Sequence, residues 1–494
     1  MNDKDATDYN TSGGSLARRV FRGSLWLFAS YGLYKVSRMI IMLVIAALLS
    51  PEAYGVVSLC SVIIFIGEIV CEFGIWQAVV NRKEPDERFL NTAFTANVLG
   101  GVVVATGLFL AAPSLALFYG EPEMTTLLRV MTPGLLADAA FFVPDGFLRK
   151  QLKFKIQSLP TVGSAFGAVV ATVALLYLGV GVLSFAVGYL VEKIIRCSLV
   201  MVISRWRPRF QIHRLSLKEI VSYAKHVSGS EVARLVSSNI DFLIVGRVLG
   251  AGPLGLYTLA FNLANYPVTN FAVILSRIAF PTFSILQENP DYARRAYLKI
   301  VQVVAGLVIP LLVMLAVLAE PLIVGLFGEK WQQAVFPMQA MVIAGISRAI
   351  SIPGSDILRA SGFPNLPLRV SVAETIVLAG ALVLVASWGI EAVALAVVIV
   401  LSLSSWTTTL IACRIFRIRL LELVRSLWPG IALAASGATA IFSLGLLDLS
   451  SLPNALRLTL LVAAAGGGTI ICLATVLRSF LYEIVALATA RNLS

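Results

Sequence analysis

Residues 29–55 read ASYGLYKVSRMIIMLVIAALLSPEAYG. From Met39 to Leu49 every side chain is apolar, and with its flanks the stretch is long enough to cross a bilayer. A crossing takes roughly 20 apolar residues over a hydrocarbon core about 30 Å thick. Yet Lys35 and Arg38 stand one turn apart, on one face of the same helix. A cation at the centre of a lipid-facing helix costs about 2.5–3.5 kcal/mol on insertion scales. The stretch therefore reads as a membrane span with one face turned away from lipid.

The rest of the chain repeats this pattern. Of its 494 residues 58% are apolar and only 13% charged, with a mean hydropathy of +0.88. Soluble domains run nearer 45–50% and about 25%. The excess is spread over the whole chain, so the expected fold is an all-α polytopic membrane protein. Apolar runs occur at 25–50, 53–76, 90–112, 126–147, 158–178, 182–203, 228–250, 254–276, 299–319, 334–357, 368–387, 390–412, 428–447 and 455–477, which predicts about fourteen spans. The net charge of +12 does not point to nucleic acid, because the basic residues punctuate the apolar runs. The five cysteines form no CxxC pair and there are two histidines, so neither a metal site nor a cofactor is expected. The polar then basic opening MNDKDATDYNTSGGSLARRVFRGSL has no cleavage signal and reads as a cytoplasmic tail.

Two kinds of link alternate. LSPEA, LGVGV and SWGIE are short and almost free of Lys and Arg, whereas NRKEPDER, RKQLKFK, RWRPRFQIHRLSLK, ARRAYLK and RIFRIRLLELVR are basic. The positive-inside rule places the basic links, and with them both termini, in the cytoplasm. The predicted organisation is a tail over 1–24, an N-lobe over 25–203, a basic linker over 204–227, a C-lobe over 228–412, and two further spans with the C-terminus over 413–494.

A weak internal repeat supports two lobes. Shifted by 200 residues, ALLSPEAYGVVSL (47–59) lies over RVLGAGPLGLYTL (247–259); shifted by 210, PDGFLRK (144–150) lies over GSDILRA (354–360). Both copies keep one orientation, which predicts a parallel pseudo-two-fold and a substrate cavity between the lobes.

The charges within apolar runs are the candidate functional residues. Lys35, Arg38, Arg234 and Arg348 are the expected substrate-binding cations. Glu68 and Glu72 (i, i+4), Asp138 and Asp145 (i, i+7) and Asp241 are expected either to pair with cations or to bind a coupling ion. Lys193 and Arg196 read as anchors at the inner membrane interface. Spans 1, 2, 4, 7 and 10 are dense in charge; spans 3, 5, 12 and 14 are nearly bare and are assigned to the lipid side. Several inward cations suit a polyanion, since Arg binds phosphate through a planar fork and Lys as a point charge. Pro144, Pro267, Pro310 and Pro353 are expected to kink their helices. Tyr31, Tyr34, Trp76, Phe141, Phe142 and Trp331 are of a type that stacks on sugars or simply packs.

LLSPEAYGVVSL, RWRPRF and LGAGPLGLYTLAFNLANYP resemble the turn motifs of Wzx-type polysaccharide transporters, in the exopolysaccharide and colanic-acid branch of the multidrug/oligosaccharidyl-lipid/polysaccharide exporter superfamily. The resemblance covers nearly the whole chain. It implies a flippase of the bacterial inner membrane that exports undecaprenyl-pyrophosphate-linked oligosaccharide by alternating access, driven by an H⁺ or Na⁺ gradient. Its partners would be that lipid-linked substrate, membrane lipids, a polysaccharide polymerase and a chain-length regulator. It supplies no catalytic residue. Alternatives are a multidrug cation antiporter, disfavoured by the inward cations, and a lipid II flippase, which shares the headgroup. A membrane polymerase or glycosyltransferase would need sizeable outer loops, and the chain has none.

Overall fold

The SPEA turn shows how the sequence starts a helix. Ser50 Oγ accepts the Ala53 N–H at 3.2 Å, Pro51 takes the first helical position, and Glu52 places negative charge in the first turn. All three satisfy or complement the unpaired N–H groups of a helix start. The same device recurs at Asn289–Pro290, where the Asn289 side chain accepts the Tyr292 N–H.

The computed structural model of the protein describes residues 30–446, 454–475 and 478, apart from positions 31, 73, 83–85, 151–153 and 287–288 and the side chains of some others, chiefly 223–238. The described residues form helices and the links between them, without a strand. The helices are α1 (32–48), α2 (Pro51–Glu72), α3 (Ile75–Asn81), α4 (Glu87–Tyr119), α5 (Glu123–Lys150), α6 (Phe154–Tyr177), α7 (Leu183–Ser204), α8 (Arg214–Leu249) and α9 (Ala251–Pro267). They continue as α10 (Val273–Leu286), α11 (Pro290–Val317), α12 (Ala319–Phe327), α13 (Val335–Ala360), α14 (Asn365–Val385), α15 (Ile390–Ile415), α16 (Leu420–Gly445) and α17 (Asn454–Thr475). Pro144, Pro310 and Pro353 lie inside continuous helices; Pro267 ends α9, and a π-helical turn follows over Val268–Ala272.

Among the described residues ten helical stretches are long and apolar enough to cross a membrane. The predicted spans at 182–203, 228–250 and 254–276 are not among them, for visible reasons. The first, α7, carries Glu192, Lys193 and Arg196; the second lies within α8, a 36-residue helix whose N-terminal half is rich in polar and charged residues; the third breaks at the π turn after 17 residues. The run at 25–50 begins outside the described residues.

The chain divides into two compact units, up to Asn239 and from Ile240, the division falling within α8. In the first, α5 packs on α2, α4 and α7, and α6 on α7. In the second, α13 packs on α9, α11 and α15, and α14 on α15. The pairing is the same once α2, α4, α5, α6 and α7 are set against α9, α11, α13, α14 and α15. This is the order in which the two sequence matches fall. α16 has no counterpart in this scheme; it packs along α11 and carries α17.

Burial differs between the helices. In the apolar parts of the stretches containing α2, α5 and α13, 56–61% of the residues are buried, against 17–33% in α4, α6, α15 and α17; α14, which carries Glu374, is also 17% buried. The less buried helices thus have the outward, lipid-suited surfaces. Within the second unit α16 approaches α11 closely at Gly430, where an added Cβ would sit 2.4 Å from the Ala305 carbonyl oxygen. Overpacking of this kind costs about 1–3 kcal/mol. Gly430→Ala is expected to lower the melting temperature of the solubilised protein, and unchanged melting would contradict the close approach.

Candidate functional site

The first unit holds a buried polar cluster built on one face of α7. Tyr189, Glu192, Lys193 and Arg196 fall at i, i+3, i+4 and i+7 and so line up along the helix. Lys193 is 5% exposed. Its ammonium lies 2.9 Å from Glu68 Oε1 on α2 and 2.5 Å from Asp138 Oδ2 on α5. Tyr189 Oη donates to the same Glu68 oxygen at 2.6 Å, and the lysine ammonium sits 5.0 Å from the Tyr189 ring centre. Arg196 stands 4.0 Å from Asp138 Oδ1 and lies 3.9 Å over the Phe141 ring. Glu192 faces α1, accepting from Arg38 Nη1 at 3.3 Å and from Tyr34 Oη at 3.2 Å. The ring of Tyr189 reaches this position because α5 offers Gly134, where a Cβ would lie 2.6 Å from Tyr189 Cε1.

These pairs answer the question raised by Lys35 and Arg38. Arg38 is 41% exposed and is held by Glu192, not by Glu68 or Glu72. Lys35 is half-buried on the same helix. Glu72, though i+4 from Glu68, belongs to a local arrangement: α2 ends there, and its carboxylate accepts from Trp76 Nε1 and from Gln77 Nε2. Asp145 pairs with Arg149 at 2.7 Å, and that guanidinium stacks 4.5 Å over Trp76. Trp76 and Phe141 thus serve here as cation partners, while Trp331 is fully buried. Lys193 is a correction to the sequence reading. It lies in the interior between two carboxylates, not at an interface. The signal was available in the i, i+3, i+4, i+7 spacing of α7.

The second unit is arranged differently. Asp241 is buried and accepts from Tyr257 Oη at 2.5 Å, and the Tyr257 ring packs edge-on to Phe242 and stacks on Phe261. Arg348, midway along α13, has an exposed side chain and edges a small pocket with Phe261, Asn265 and Val397. Its charge acts on Asp241 and Glu374, but among the described residues it forms no direct ion pair. Glu374 instead accepts from Ser404, and Asp356 from Ser276 and Arg359. The Arg234 side chain lies outside the described residues. A separate cavity of about 490 Å³ in the first unit is lined by Ser50 and Ala53 of the SPEA turn, Glu123 and Thr126 of α5, and the α6–α7 turn.

A buried carboxylate–ammonium cluster with a separate exposed guanidinium does not by itself name a family. A family model described as "Polysaccharide biosynthesis protein" matches residues 44–336, more than half the chain. The chain belongs to this family. Among its curated relatives, the lipopolysaccharide biosynthesis protein WzxC of Escherichia coli (strain K12) is 23% identical over 75% of this chain and 76% of WzxC. The succinoglycan biosynthesis transport protein ExoT of Rhizobium meliloti (strain 1021) is 27% identical over 64% of this chain and 63% of ExoT. For two of the curated relatives the match spans just under two thirds of the relative's own length. The likeness to Wzx-type proteins read from the turn motifs therefore stands. The solved structure of the lipid II flippase MurJ in an inward closed conformation superposes with a TM-score of 0.68, over 90% of this chain and 99% of that one, at 15% identity. The fold of this polysaccharide biosynthesis family member is thus shared with MurJ.

Proposed function

We propose that the protein is a flippase that moves undecaprenyl-pyrophosphate-linked oligosaccharide across a bacterial inner membrane for exopolysaccharide biosynthesis. On this reading both termini are cytoplasmic. Two six-helix lobes, related by a parallel pseudo-two-fold and followed by two further helices, give about fourteen spans. The lobes alternate access, coupled to an H⁺ or Na⁺ gradient, and a polymerase and a chain-length regulator act on the product.

The observation that carries the reading is Arg348. It keeps an exposed guanidinium within α13, part of a helical stretch whose apolar part is 61% buried, and its neighbouring carboxylates are engaged elsewhere. A cation left without a direct ion pair in such a helix suits a polyanionic headgroup such as pyrophosphate, which Arg binds through paired donors. Lys35, Arg38 and Arg234 are proposed as further contacts along the headgroup's path. Asp241, and the carboxylates Glu68, Glu72, Asp138 and Asp145 where their partners release them, are the candidates for ion coupling. A multidrug cation antiporter is disfavoured, because its substrates would meet Arg348 as a like charge.

The test is direct translocation. Proteoliposomes holding the full chain are expected to move a fluorescent undecaprenyl-pyrophosphate oligosaccharide between leaflets faster than protein-free vesicles, with the rate responding to an imposed H⁺ or Na⁺ gradient. A correctly folded protein that gives the protein-free rate would end the proposal.

A further inference from the structure

The basic stretch RWRPRFQIH between α7 and α8 is not a loose link. Three side chains of α4 hold its backbone at every second residue. Asn91 Oδ1 accepts the Arg209 N–H at 2.9 Å, Thr95 Oγ1 the Gln211 N–H at 3.0 Å, and Thr92 Oγ1 the His213 N–H at 3.0 Å. Donation at alternate residues is what an extended chain offers to one neighbour. Trp206 packs edge-on to Phe94 at 5.8 Å and adjoins the apolar core formed by α3, α4, α5 and Ile220 of α8. Beyond the strap, Arg82 on the α3 side bonds Glu219 of α8 at 2.9 Å.

The arginines of the stretch remain outward. Arg205, Arg207 and Arg209 are exposed, and among the described residues none of them forms an ion pair. Arg207 and Arg209, alternate residues of the link, stand about 7 Å apart where the chain is extended, and Arg205, the left-handed residue (φ 53°) that ends α7, adjoins them. Phe210, whose ring also meets Phe94 of α4 at 5.7 Å, is 72% exposed, Ile212 53% and Leu215 73%. The strap sits against the first turns of α4, a 33-residue helix about 50 Å long, which exceeds a hydrocarbon core of about 30 Å. Its position is therefore at a membrane surface, where apolar side chains reach the acyl boundary and arginines meet headgroup phosphates.

We propose that residues 205–215 form a binding strip for anionic phospholipids, with Arg205, Arg207 and Arg209 on their phosphates and Phe210, Ile212 and Leu215 in the acyl boundary. The three exposed, unneutralised arginines set the sign of the ligand. The adjoining apolar side chains favour a lipid over a soluble anion. The side-chain latch on α4 makes the strip a built feature of the fold. The inference needs the chain to be in a membrane but is independent of what it transports.

The experiment uses the full chain in detergent, titrated with phosphatidylglycerol or phosphatidylcholine, with retained lipid counted by native mass spectrometry. Each basic residue near an anionic surface contributes about a fivefold factor, so Arg205→Gln, Arg207→Gln and Arg209→Gln together are expected to weaken phosphatidylglycerol retention on the order of 100-fold. Phosphatidylcholine retention should hardly change. Asn91→Ala with Thr95→Val keeps every arginine but frees the strap, and should also reduce the preference. Equal phosphatidylglycerol retention in the wild type and the triple variant would overturn the proposal. So would full displacement of the lipid by millimolar inorganic phosphate, which would mark a site for free anions. Loss of lipid preference with translocation intact would leave the flippase reading untouched, and the converse result would leave the strip standing.

Discussion

Lys193→Ala is expected to lose most of the folded protein. Among the described residues the ammonium is the one cation in direct contact with both Glu68 and Asp138, and α5, which carries Asp138, packs on both α2 and α7. Removing one partner of a buried ion pair costs about 3–5 kcal/mol, because the remaining charge has neither water nor a counter-ion. Here two carboxylates would be left, with only Arg196 at 4.0 Å from one of them. Membrane yield should fall, and the solubilised remainder should melt at a clearly lower temperature. Wild-type melting of Lys193→Ala would show that the cluster is not a structural keystone.

A triple variant separates structure from function. Lys193→Met with Glu68→Gln and Asp138→Asn removes all three charges at nearly constant volume. Replacing a buried ionic group by neutral ones of similar size is often harmless to stability. Tyr189 can still donate to the amide oxygen that replaces Glu68 Oε1. The triple variant should therefore regain most of the stability lost by Lys193→Ala. If it also translocates substrate with an unchanged gradient dependence, the cluster serves the fold alone. If it folds and translocation no longer responds to the gradient, Glu68 and Asp138 belong to the coupling step.

The residues differ in how far the sequence alone could place them. The membrane class was legible because it rests on an extended signal, the length of apolar runs; the expected two lobes rest on two short matches at nearly equal shifts. The pairing of α5 with α2, α4 and α7, mirrored by α13 with α9, α11 and α15, follows the order of those matches. The buried charges were legible as a set but not as pairs. Glu68 and Glu72 look equivalent at i, i+4, yet only Glu68 meets α7, because α2 ends at Glu72 and Trp76 and Gln77 return to that carboxylate. Which cation a carboxylate meets depends on which helix packs opposite, and residues 55 to 154 positions apart in the chain make those contacts. Lys193 reads as an anchor from sequence because it precedes the basic link by only a few turns. Its facing carboxylates, not its depth along the helix, decide its role. The strap over 205–213 was legible as charge only. The hydrogen bonds that fix it come from Asn91, Thr92 and Thr95, polar residues that draw no notice within an otherwise apolar run.

Arg348→Ala should give the opposite signature to Lys193→Ala: a stable protein that no longer transports. The side chain is exposed and, among the described residues, forms no direct ion pair, so its loss strands no bonded carboxylate. Substitutions away from such features usually stay within about 0.5 kcal/mol of the wild-type stability. Asp241 keeps its bond from Tyr257, and Glu374 its bond from Ser404. The loss should appear instead in substrate handling. A hydrogen bond to a charged group contributes about 1.5–3 kcal/mol, which corresponds to a fall in apparent affinity for the pyrophosphate lipid of roughly 10- to 150-fold. Arg348→Lys preserves the charge but not the planar fork, and should fall between the two. Translocation rates measured against substrate concentration in proteoliposomes decide the matter, with melting temperature as the control. An Ala variant that melts normally and transports at the wild-type rate would show that the headgroup's path does not pass this guanidinium. A variant that fails on neutral lipid probes as severely as on the pyrophosphate lipid would show that Arg348 acts on the conformational cycle and not on the substrate's charge.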